Sequence, residues 1–178
     1  MSIIFVLIPI LAALAILYGC KARLTALIAS GLTLFLGLGS IFFWKAEVWS
    51  VTFQVLSKPS IHLAMGFYDG MSLIMVLLSV LVLFTAVFAG KAPEGRQKLY
   101  YSSILLIGAG GLGAFLSTDL FFFYAFHELA LIPTFLMIGM LGTGDRKEAA
   151  WKITIYLALG SIILLAGMIW LVSASGSD

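Results

Sequence analysis

Leu99–Leu141, LYYSSILLIGAGGLGAFLSTDLFFFYAFHELALIPTFLMIGML, is the stretch on which the fold turns. A membrane-crossing helix needs about 20 mostly apolar residues, because each adds about 1.5 Å against about 30 Å of hydrocarbon. This run is about twice that length, so it must double back, and Ser117-Thr118-Asp119 supplies both the break and an N-cap for the helix after it. Two spans joined by a tight turn are expected, at about 99–117 and 120–141.

The same ruler applied outward marks further spans at about 3–19, 24–44, 70–90 and 149–172. The 178 residues are therefore expected to form an all-α membrane protein, one transmembrane domain of about six helices. Composition agrees: 62% of residues are AVILMFWYC and 10% are charged, where a soluble domain carries about 45–50% apolar and about 25% charged residues. A net charge of +2, scattered along the chain, excludes a nucleic-acid footprint, which needs Lys and Arg concentrated on one face. The single Cys20 permits no internal disulfide and no cysteine-ligated metal or iron–sulfur site. The first span lacks the basic start of a cleaved signal, with Lys21 and Arg23 following it, so it is expected to stay in the protein.

Residues 45–69 form the longest polar-flanked connection. Rough alternation over Val48 to Leu56, with the turn signal Ser57-Lys58-Pro59-Ser60 before Ile61, reads as a short β-hairpin at the membrane surface. Asp69 before Gly70 reads as the N-cap of the third span. Lys21, Arg23, Lys91, Arg96, Lys98, Arg146, Lys147 and Lys152 fall in or beside loops one, three and five, against Lys45 and Lys58 elsewhere. Positively charged loops are held in the cytoplasm, so both termini and the 45–69 loop are expected outside.

Gly108-Ala109-Gly110-Gly111-Leu112-Gly113 matches a dinucleotide-binding pattern, but that loop works only between a strand and a helix. Inside a span it reads instead as a small-residue face for close helix packing, a device repeated by Ala29, Thr33 and Gly37. Trp44, Trp49, Tyr100, Tyr101 and Trp170 fall near span ends, as an aromatic interface belt would.

Glu128 is the candidate for chemistry. It lies about 13 Å from the external end of the fifth span, too deep to snorkel. A carboxylate there costs about 2.5–3.5 kcal/mol, while the Leu, Ile and Phe residues of the same span return roughly 4–7 kcal/mol, so the helix still inserts. In hydrocarbon a carboxyl keeps its proton until a cation comes close, and moving that cation loads and unloads it. Pro133 removes a helical bond and leaves the Leu129 carbonyl without its usual partner, predicting a kink beside the carboxyl. Tyr124, four residues before Glu128, shares its face and can bond it directly or through water. His127 lies about 100° around the helix, a direction that favours packing over a relay. Lys152 is a second candidate, set against simple snorkelling to the cytoplasmic interface.

Phe122 to Ser161, FFYAFHELALIPTFLMIGMLGTGDRKEAAWKITIYLALGS, resembles the fifth and sixth helices of the antiporter-like subunit M (ND4) of proton-translocating NADH:quinone oxidoreductase, respiratory complex I. The resemblance rests on Glu128 with Leu131-Ile132-Pro133, then Gly142, Arg146, Ala149-Ala150, Lys152, Tyr156 and Gly160-Ser161. Ile61-His62-Leu63 with Asp69-Gly70-Met71-Ser72-Leu73 looks like the family's entry to helix three, and Leu7-Ile8-Pro9 like its first helix. What this implies is the N-terminal part of a membrane-arm subunit of a bacterial inner membrane, translocating protons while other chains pass electrons from NADH to quinone. No redox centre is expected here; NADH, FMN, iron–sulfur clusters and quinone are implied in partner subunits. In the family the carboxylate matching Glu128 pairs with a lysine on the seventh helix. The sequence ends after the sixth span, so two expectations stand side by side: the subunit is split, with a companion chain supplying that lysine and the helices from the seventh onward, or this is a truncated product; Lys152 matches a family position but is not the paired lysine. The Glu128 motif is shared by multisubunit Na+/H+ antiporters and membrane-bound hydrogenases, which form the alternative, and a non-transporting assembly fragment is a third reading.

Overall fold

The computed structural model describes residues 2–42, 48–53, 61–67 and 70–175, and within them the chain is almost wholly helical. In order it forms α1 (Ile3–Tyr18), α2 (Ala22–Phe42), β1 (Val48–Phe53), β2 (Ile61–Gly66), α3 (Gly70–Ala89), α4 (Gln97–Leu116), α5 (Leu120–Leu129), α6 (Leu131–Leu141) and α7 (Arg146–Ser175). Counting α5 and α6 as one unit, five helices among the described residues are long and apolar enough to cross a membrane. α1 is shorter than the 3–19 span expected, at 16 residues. Its apolar run is closed by Gly19, whose φ of 119° lets the Cys20 amide bond the Ala15 carbonyl, a turn that suits glycine because it carries no Cβ. α7 starts at Arg146, earlier than the 149 expected, because the Asp145 carbonyl already accepts from the Ala149 amide.

β1 and β2 pair antiparallel, Val48 opposite Gly66 and Phe53 opposite Ile61. Met65 holds β2 to the bundle: it is buried, its carbonyl accepts from Ser2 Oγ at 2.8 Å, and it bridges to Ser117 in the α4–α5 turn. Asp69, Trp44, Lys45 and the turn Ser57-Lys58-Pro59-Ser60 lie outside the described residues.

α4 runs through the middle, touching α1, α2, α3, α5, α6 and β2. Its glycines admit the neighbours: a Cβ on Gly110 would stand 2.8 Å from the Phe126 carbonyl oxygen, and one on Gly108 2.6 Å from Leu83. Gly37 of α2 meets Val80 of α3 in the same way. Tyr101, expected in the interface belt, is instead a core residue at 2% exposure, its hydroxyl 3.3 Å from the Gly90 carbonyl. Burying a ring that large leaves the hydroxyl needing a partner, and the end of α3 supplies one. Trp170 remains exposed.

The Asp119 carboxylate caps α5, accepting from the Phe121 amide at 2.8 Å and the Phe122 amide at 3.2 Å. The fifth span is then interrupted at Ala130, where the amide bonds back to His127 at 3.3 Å. Pro133 consequently falls in the first turn of α6, where an amide has no intrahelical partner to lose. Thr134 Oγ1 donates to the Ala130 carbonyl at 2.7 Å, a back-bond that bends helices.

Candidate functional site

Glu128 is the penultimate residue of α5, immediately before the interruption at Ala130. Its Oε1 is hydrogen-bonded to Ser161 Oγ of α7, and the same Oγ lies 2.9 Å from the Tyr124 hydroxyl. Tyr124 and Glu128 share a face of α5, being four residues apart, and Ser161 reaches both from across the helix pair. Ser161 is 3% exposed and stands near the midpoint of the 30-residue α7. A serine hydroxyl has one proton and two lone pairs. With Glu128 ionised, Tyr124 donates to Ser161 and Ser161 to the carboxylate. With Glu128 protonated, the carboxyl donates to Ser161 and the chain of donors can reverse. The Glu128 carboxyl and the Ser161 hydroxyl therefore keep their partners in both protonation states of Glu128 without moving a heavy atom.

His127 Nδ1 lies 4.0 Å from Glu128 Oε1, too far for a hydrogen bond and close enough for an ion pair when the ring is protonated. That nitrogen is shut off from solvent and has no hydrogen-bond partner among the described residues. The 100° offset along the helix thus does not keep the two side chains apart. Lys152 is not brought to this group: its Nζ is 2.6 Å from Glu148 Oε1 on the same helix, with both side chains exposed. It sits nine residues before Ser161, roughly 13 Å along the axis. Among the described residues, no cluster of His, Cys, Asp and Glu could hold a metal ion.

Ser161 is the residue that reading the sequence for chemistry passes over. Its signal is a hydroxyl set among Leu159, Ile162 and Ile163 in an apolar span, where a polar side chain needs a polar partner.

The group stands on the open flank of the bundle. No residue of α5 is buried, only Pro133 is buried in α6, and α7 packs mainly against α6 and more lightly against α5.

A family model described as "NADH:quinone oxidoreductase/Mrp antiporter, TM" matches residues 117–178. NADH-quinone oxidoreductase subunit M of Rhodobacter capsulatus is 34% identical over 117 residues, covering 66% of this chain and 23% of that protein. A chain in the structure of respiratory complex I from Thermus thermophilus with bound NADH superposes with a TM-score of 0.86 at 28% identity, covering 99% of this chain and 37% of that one. The fold is also that of a chain in the membrane-bound sulfane sulfur reductase, an archaeal respiratory membrane complex, with a TM-score of 0.77 at 19% identity. The chain spans about a quarter to a third of the length of the curated relatives it matches.

Proposed function

We propose that Glu128 is the proton-exchanging group of a half-channel in a proton-translocating NADH:quinone oxidoreductase, a reading supported by the similarity of this chain to part of the antiporter-like subunit M of complex I. The observation that carries it is the Tyr124–Ser161–Glu128 group: an acid in an apolar helix, satisfied with or without its proton, beside an interruption of that helix. Such a group exchanges a proton when an approaching cation favours the carboxylate and its departure favours the acid. Among the described residues, His127 stands within reach of Glu128, its Nδ1 at 4.0 Å, and forms an ion pair there when protonated. A further cation comes from protein packed against the open flank of α5 and α7, beyond the residues described. Electrons pass from NADH to quinone in other subunits, which hold the FMN and iron–sulfur clusters. The chain sits in a bacterial inner membrane with both termini and the β1–β2 connection outside, because the basic loops gather at the other end.

Glu128→Gln in the assembled complex is expected to abolish most proton pumping, with the complex still assembled and still oxidising NADH. Unchanged pumping overturns the assignment. The matching family description also names Mrp antiporters, so a subunit of a multisubunit Na+/H+ antiporter is the second reading. Co-purification separates the two: NADH-oxidising and quinone-binding subunits favour the first, and a sodium-dependent complex without redox centres favours the second.

A further inference from the structure

The end of the bundle opposite the β strands collects the basic side chains, and two of them meet. Arg96, at the entry to α4, donates from Nη1 to the Met140 carbonyl near the end of α6. Arg146, the first residue of α7, donates to that same carbonyl at 3.2 Å. One guanidinium is enough to cap a helix C-terminus. A second on the same oxygen holds two like charges within a few ångströms of each other, an arrangement relieved by an anion. Among the described residues no carboxylate pairs with either arginine: Glu148 pairs with Lys152, and Glu128 lies beside His127. Glu94 and Asp145, the nearest acids in the sequence, pair with neither.

Beside Arg96 lies a wide, open cavity of about 570 Å³ on the surface, lined by Gly95, Arg96, Gln97, Lys98, Leu99 and Met140; Arg146 is not part of that lining and reaches its edge at the Met140 carbonyl. Lys98 adds a third positive charge, and the first turn of α4 has no acidic residue and no side-chain cap to occupy its free amides. The remaining lining side chains, Leu99 and Met140, are apolar. Basic groups above an apolar wall match an amphiphile with a charged head and a hydrocarbon tail.

We propose that this cavity binds an anionic phospholipid, its phosphate held between Arg96, Arg146 and Lys98 and its first methylenes against Leu99 and Met140. Inorganic phosphate offers the same oxygens but nothing for the apolar wall. A zwitterionic lipid brings its own ammonium into a site that already has three positive charges.

The full chain, purified in detergent and titrated with phosphatidylglycerol, phosphatidylcholine or inorganic phosphate, tests this by native mass spectrometry. Phosphatidylglycerol should be retained at least about tenfold better than phosphatidylcholine, from about 1 kcal/mol per basic group. Arg146→Gln leaves Arg96 in place on α6 and should lower that retention about fivefold. Lys21→Gln with Arg23→Gln, basic residues at the same end but outside the cavity, should leave it unchanged. Equal retention of the two lipids overturns the proposal, as does an equal loss in the Lys21/Arg23 variant, which would mean a general basic surface. Displacement of the lipid by millimolar inorganic phosphate would assign the site to the free ion and overturn the lipid.

Discussion

In the proposed proton exchange the carboxyl of Glu128 needs a partner that can follow its change of charge, and a hydroxyl is such a partner because it donates to the ion and accepts from the acid. Ser161 holds that place, and a hydrogen bond to a charged group contributes about 1.5–3 kcal/mol. Ser161→Ala should therefore slow proton translocation by roughly tenfold or more, whereas Ser161→Thr, which keeps the hydroxyl, should retain most of the rate. Tyr124→Phe removes the outer member and should have the smaller effect. Reconstituted complex assayed for proton uptake at constant NADH oxidation separates these, and a Ser161→Ala rate equal to the parent would remove the hydroxyl from the mechanism. Glu128 and Tyr124 are legible in the sequence because one stands out as a charge in oil and the other follows from the helical repeat. Ser161 is not, since it lies 33 residues away and only the crossing of α5 with α7 brings it near. Lys152 carries the same lesson in reverse: four residues from Glu148, it takes the local partner on an exposed helix turn.

The interruption between α5 and α6 is an element-scale feature with two supports, one on each side of the helix. Within the segment, Pro133 and the Thr134 back-bond favour a bend. Across it, Gly110 of α4 lets the Phe126 carbonyl and Ala130 come to within about a methyl group of the α4 backbone. Proline announces the bend in the sequence; its position three residues earlier does not follow from proline alone, because it depends on where α4 makes room. The glycine stripe is legible as a packing face from its spacing, while its partner on α5 is not. Gly110→Ala forces a Cβ against backbone, which cannot rotate away, and should destabilise the fold by roughly 1–3 kcal/mol. A methyl group on Gly111 would meet nothing within 4 Å, so Gly111→Ala should be neutral or stabilise by up to about 1 kcal/mol through helix propensity. Thermal unfolding of the two variants in detergent checks the contrast. Equal melting temperatures would mean that the α4–α5 contact is looser than its geometry.

On the scale of the whole molecule, the bundle is built unevenly. α4 is enclosed by α1, α2, α3, α5 and α6, while α7 leans on α6 and α5 and leaves Ile155, Ile162, Ile163 and Trp170 facing outward. Lipid covers such a face as readily as protein does, because in a bilayer apolar exposure carries no penalty. The two occupants are told apart by the acid: Glu128 lies on this flank rather than in the enclosed core, and its side chain is still 36% exposed. If Glu128 is the proton-exchanging acid proposed above, a position open to lipid alone would give it neither water nor a cation to exchange with, so that reading requires protein to cover α5 and α7 while α1 can stay in lipid. Single cysteines on a Cys20→Ser background, replacing Leu11 of α1 or Ile163 of α7, both exposed in this chain, would carry spin labels to read the difference. In the assembled complex the label at position 11 should stay accessible to oxygen dissolved in the bilayer, and the label at 163 should be shielded. Shielding at 163 should vanish when the chain is reconstituted alone. If both labels are equally accessible in the complex, the flank faces lipid, and the proposed pairing of Glu128 with a cation from beyond the described residues is overturned.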